Sequence, residues 1–97
     1  METVDELTIS WSEGEDETTR ELEKHVLTKG TWATIAFLYQ DKDRKTGEWG
    51  ARKVSIRRYK KANGVYRMQS KFNISSLKQA RELSELLATW GALPEDP

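Results

Sequence analysis

A chain of 97 residues with sixteen basic and sixteen acidic side chains has room for one domain and too little interior for a deep substrate cavity. It has no cysteine and a single histidine, His25, which excludes disulfides, thiolate chemistry and a multi-histidine metal site. No apolar run approaches the roughly 20 residues of a membrane-spanning helix, and residues 1–30 are too acidic for a secretory leader. We therefore expect a cytoplasmic or nucleoid-associated protein without membrane contact.

Residues 1–24 carry nine acids and two bases, Arg20 and Lys24. The cluster Glu13-Gly14-Glu15-Asp16-Glu17 repels itself and has nothing to bury, so this segment is expected to be acidic and weakly structured. Leu7, Ile9 and Trp11 alternate and suggest a short edge strand. Thr18-x-x-Glu21 is a capping-box pattern for a helix reaching Gly30, while His25–Thr28 reads equally as a strand turning at Lys29-Gly30. Both alternatives stay open.

From Thr31 to Tyr39 the chain is β-branched and aromatic, with apolar residues on both parities. A strand covered on both faces, or one whose second face carries function, has this pattern. Asp41 to Gly50 is a polar, turn-rich hairpin loop. Strands follow at about Arg52–Lys61 and at Val65–Ile74, joined through Ala62-Asn63-Gly64.

The register of this last hairpin bears on function. A two-residue Asn-Gly turn pairs Ile56 with Lys71 and mixes apolar and basic faces. A three-residue Ala-Asn-Gly loop places Val54, Ile56, Arg58 and Lys60 with Phe72, Ser70, Met68 and Tyr66 on a core side. Lys53, Ser55, Arg57, Tyr59 and Lys61 then share a basic side with Asn73, Lys71, Gln69, Arg67 and Val65. The second arrangement separates the two chemistries and is the one expected.

The chain ends in a helix of about 14 residues, the length over which the apolar period persists. Ser76-x-x-Gln79 is a capping box; Leu77, Ala80, Leu83, Leu87 and Trp90 recur at helical spacing; Gly91 stands at the C-cap position with Pro94 beyond. The expected fold is α+β: a small antiparallel sheet of about four strands followed by one helix, β-β-β-β-α. We expect residues 25–93 to form that domain and 94–97 a tail. With so few large apolar residues the protomer is marginal alone. Its Leu83, Leu87, Trp90 stripe suits a homodimer.

Chemistry-bearing groups are few. Ser75 and Ser76 have no neighbouring base, and helix capping accounts for Ser76. His25 reads as a surface or half-buried side chain. Asp41 and Asp43 resemble the start of a calcium loop, but Lys45 stands at the next ligand position. Tyr39, Tyr66 and Phe72 read as core and Trp90 as helix packing, with Trp11 unassigned. No catalytic residue, metal, cofactor or small-molecule substrate is expected, and the protein is read as non-enzymatic.

Residues 51–71, in contrast, hold eight bases and no acid. An acid-free strand pair with interleaved aromatics suits a phosphate backbone, the cations displacing counterions and an aromatic ring stacking a base. The expected contacts are Lys53, Arg57, Lys61, Arg67 and Lys71 to phosphates and Tyr59 to a base, joined by Trp32 or Trp49 if they share that surface. Gln69 and Asn73 add hydrogen bonds. The helix uses its apolar side for the core, so single-stranded DNA or RNA fits better than duplex DNA. The alternative is a protein-interaction module whose basic face docks an acidic partner or its own N-terminal segment.

The run Lys53-Val-Ser-Ile-Arg-Arg-Tyr59, then Lys71-Phe-Asn-Ile-Ser75 leading into an amphipathic helix, resembles the C-terminal domain of the PC4-like transcriptional coactivators over about residues 50–90. The resemblance implies a sheet-and-helix protomer that dimerises through its helices, paired sheets forming a groove for single-stranded DNA, and a role in transcription regulation. It assigns Lys53, Arg57, Tyr59 and Lys71 to that groove. The loop between the two strands is shorter here than in that family.

Overall fold

The computed structural model describes residues 3–96. Five antiparallel strands form one meander in chain order: β1 (Trp11–Glu13), β2 (Asp16–Thr28), β3 (Trp32–Asp41), β4 (Lys53–Ala62) and β5 (Val65–Ile74). Helix α1 (Leu77–Gly91) follows. The class is α+β as expected, with five strands where about four were expected.

The additional strand comes from the acidic segment, which is largely ordered. Glu13 pairs with Asp16 across a tight turn in which Gly14 takes φ 63°, the arrangement of a glycine-first hairpin turn. Two of the four carboxylates are paired from the loop between β3 and β4: Lys42 Nζ lies 2.6 Å from Asp16 and an Arg44 guanidinium nitrogen 2.7 Å from Glu13. Long-range pairing thus relieves part of the self-repulsion that local composition implies. It also settles residues 16–28 as strand and not helix. The register skips Leu22 and Leu27, and these bulges leave both leucines exposed.

Strand β3 is central and sets the sidedness of the sheet. Ala33, Ile35, Phe37 and Tyr39 are buried along one face, while Thr34, Ala36 and Leu38 on the other are half-buried. We call the first the inner face. Residues 3–10 cross it without strand pairing, and Leu7 and Ile9 pack into the same cluster as Ile35, Phe37, Tyr59 and Tyr66. Burying each such side chain contributes about 1.5–3 kcal/mol. Lys24 Nζ fastens the segment by donating to the carbonyls of Val4 and Leu7, at 2.6 Å each.

The β4–β5 register corrects the expected one. Ala62 pairs with Val65, and Asn63 and Gly64 both take positive φ, 54° and 78°, the signature of a two-residue type I′ turn. The mixing of faces is cured further along by a bulge: Arg58 pairs with Ser70 but Tyr59 with Met68, so Gln69 is the extra residue. Val54 then faces Ile74 and Ile56 faces Phe72.

Sidedness is inverted as well. Phe37 stands opposite Ser55 and Ile35 opposite Arg57, which puts the expected basic side of β4 on the inner, core-bearing face. Val54, Ile56, Arg58 and Lys60, expected in the core, lie on the outer face.

Helix α1 starts as its sequence indicates. Ser76 Oγ accepts from the Gln79 amide at 3.1 Å, and Gln79 Oε1 accepts from the Ser75 amide at 3.3 Å. Gly91 lies inside the helix and Ala92 is the C-cap, because the last turn closes without a left-handed residue. The helix does not cover a face of the sheet. Leu77, Ala80 and Leu83 are half-buried near β5, whereas Leu86, Leu87 and Trp90 are exposed. Phe72, expected in the core, is 57% exposed. The radius of gyration, 15.6 Å, exceeds the roughly 13 Å of a compact chain this long, in keeping with a helix that projects. No helix among the described residues is long and apolar enough to cross a membrane.

Candidate functional site

The strands that bury Phe37 also build a groove beside it. Residues 8–11, leaving the inner face for β1, form one wall, and β4 and β5 form the floor and other wall. The cavity is about 540 Å³, and Trp11, Tyr39, Arg57, Tyr59, Lys71 and Asn73 line it. Two cations, three aromatic rings and an amide therefore meet in one open groove.

Arg57 and Lys71 are directly opposite one another across β4 and β5. Neither forms an ion pair with an acid among the described residues. Arg57 is half-buried. Its Nε donates to Ser55 Oγ at 3.3 Å, and the fully buried Ser55 hydroxyl donates to Asn73 Oδ1 at 2.6 Å. This chain fixes the guanidinium at the floor and satisfies a hydroxyl that would otherwise be costly to bury. Asp41, also in the lining, accepts from Thr19 Oγ1 at 2.8 Å and faces Lys53 Nζ at 3.4 Å.

Both groove tyrosines are held neutral. Burial raises the Tyr39 phenol above its ordinary 10.0, and the negative charge of Asp41 adds to the effect. Burial likewise raises Tyr59, opposed by its hydrogen bond with Arg57.

Lys53, Arg57, Tyr59, Lys71 and Asn73 are thus brought to one face, as expected from the sequence. Tyr59 belongs to the core at 6% exposure and presents only part of its ring to the groove, which limits stacking on it. Lys61 shares the face but lies towards the hairpin end, 5.2 Å from the Tyr66 ring. Arg67 is a correction: it pairs with Lys60 and so stands on the outer face, because the Gln69 bulge comes between it and Lys71. Gln69 turns back to the Arg67 carbonyl at 3.2 Å. Trp32 and Trp49 are not in the groove.

Trp11 is the groove residue that sequence reasoning left without a role. It is 65% exposed, and its alternation with Leu7 and Ile9 was the available signal. Of the three helix residues expected at a core or dimer contact, Leu83 is half-buried against β5 while Leu87 and Trp90 are exposed. Asp43 Oδ1 accepts from the amide of Lys45 at 2.8 Å, a bond within the loop. No group of three or more His, Asp or Glu side chains suited to holding a metal occurs among the described residues.

No protein-family model, curated protein or solved structure matches this chain.

Proposed function

We propose that this protein is a non-enzymatic, single-stranded nucleic-acid-binding protein acting as a homodimer, with the inner-face groove as its binding site. The observation that carries the reading is the Arg57–Lys71 pair, two cations held side by side in a groove lined by aromatic rings, neither in an ion pair among the described residues. Phosphates contact Arg57, Lys71 and the adjoining Lys53. A base stacks on exposed Trp11, and Asn73 supplies hydrogen bonding. A groove open to solvent and lined by rings and cations suits an unstacked strand. The only α-helix of the described residues carries apolar side chains where a major-groove reader carries polar ones. A role in transcription regulation, as in the PC4-like domains that residues 53–59 and 71–75 resemble, is part of the proposal.

The dimer rests on the uncovered side of α1. Leu86, Leu87 and Trp90 are 42%, 51% and 57% exposed in a protomer with a small core, and Leu86 lines a cavity with the exposed Phe72. A second copy offers the same stripe, and a two-fold contact buries both at once.

Fluorescence anisotropy with labelled dT and rU oligonucleotides tests the binding. Three neutralised phosphates give log K against log salt a slope of about −2.1, at roughly 0.7 per phosphate for single strands. Binding unchanged between roughly 50 and 300 mM salt contradicts the proposal.

A further inference from the structure

The outer face carries a second cluster of the same chemistry at the hairpin end of the sheet. Trp32 is 42% exposed and pairs directly with Lys60, which pairs in turn with Arg67. The Arg58 guanidinium lies 4.6 Å from the Trp32 ring centroid and Lys60 Nζ 5.4 Å from it. The cross-strand neighbours of Arg58 are Thr34 and Ser70, neither of them acidic. None of the three cations joins an ion pair among the described residues.

The contrast with Trp49 gives this cluster its meaning. Trp49 is also flanked by two cations, Arg20 at 4.2 Å and Lys42 at 5.4 Å. Arg20, however, donates to Gln40 Oε1 at 3.0 and 2.8 Å, and Lys42 is paired with Asp16. That cluster is internally satisfied and half-buried. Around Trp32 the cations have no such partners among the described residues. The directly opposed Lys60 and Arg67 repel, a cost that an anion between them removes. An exposed indole beside phosphate-seeking cations takes a stacked base sequence-tolerantly.

We propose that Trp32, Arg58, Lys60 and Arg67 form a second contact site for single-stranded nucleic acid, engaged by a strand long enough to leave the inner groove and pass the β4–β5 hairpin to the outer face. Phosphates lie at Lys60 and Arg67, and a base stacks on Trp32. The inference rests on the groove reading above. It adds that affinity depends on strand length through residues outside the groove.

The experiment compares labelled dT of about six and about 20 nucleotides on the full chain, with K60Q/R67Q, W32A and K71Q. Wild type is expected to bind both lengths. K60Q/R67Q leaves the short strand within about twofold, weakens the long one by more than about tenfold, and lowers its salt slope by about 1.4. W32A weakens the long strand alone. Thermal melting keeps folding separate from binding, since relieving the Lys60–Arg67 repulsion leaves the melting temperature unchanged or raised. Unchanged affinity and slope of K60Q/R67Q for the long strand overturn the outer site while leaving the groove intact. If K71Q has no effect and K60Q/R67Q abolishes both lengths, the groove reading fails and the outer site stands alone. Binding of poly-glutamate through Lys60 and Arg67 with no oligonucleotide binding overturns both.

Discussion

Arg57 and Lys71 stand directly opposite each other on the inner face, a like-charge cross-strand pair beside the buried Phe37–Ser55 pair. Such pairs destabilise a sheet by a few tenths of a kcal/mol. Binding and stability should therefore move in opposite directions at Lys71, which is exposed and joins no ion pair among the described residues. We expect Lys71→Gln to weaken oligonucleotide binding about fivefold at roughly 0.1 M salt. The same variant should keep or slightly raise the urea midpoint. Weaker binding accompanied by a lower midpoint would mean that Lys71 acts through the fold.

The two groove tyrosines link stability to alkaline pH. Both have folded-state values raised above 10.0, so the folded chain keeps protons that the unfolded chain releases once pH passes 10.0. Their contribution is fully present below pH 10.0 and is lost as pH rises through the folded values. Denaturant unfolding should show stability falling above pH 10.0, with a shallower fall in Tyr39→Phe and Tyr59→Phe. An equal fall in both variants would remove the tyrosines from this role.

Trp90 tests the helix contact without disturbing the protomer, since its ring is exposed. Trp90→Glu places a charge on the apolar stripe, and sedimentation velocity should report a shift from two copies to one. Wild-type protein sedimenting as a single copy at high concentration would contradict the dimer.

At the hairpin, Gly64 takes φ 78°, where a Cβ is strained. Gly64→Ala should cost about 1 kcal/mol in urea unfolding. A larger loss, with changed oligonucleotide affinity, would indicate that the two-residue turn also holds the Gln69 bulge and with it the separation of Lys71 from Arg67.

Much of the fold was legible along the chain because its signals are local. The β-branched run at 31–39, the strand at Val65–Ile74 and the Ser76 cap each act over a few residues and were found close to their places. Strand β2 was obscured because its first acid, Asp16, is paired with Lys42, and β1 because Arg44 reaches back to it from a distant loop. The hairpin register failed for a related reason: choosing between turns assumed an unbroken ladder, and one extra residue at Gln69 reconciles the shorter turn with separated faces.

The acid-free stretch of residues 51–71, and the cations in it, could be read from order of residues alone, since charge needs no partner to be counted. Which way those cations point could not. Strand β4 alternates Val54 and Ile56 against Ser55 and Tyr59, so either parity offers a plausible interior. Pairing with β3 chose between them by setting Ser55 beside Phe37, and Leu7 and Ile9 closed over the result. Side-chain direction in a sheet has period two, so one residue of register or one bulge moves a cation to the opposite face. That is why Arg57 lies in the groove and Arg67 on the far side of the same hairpin.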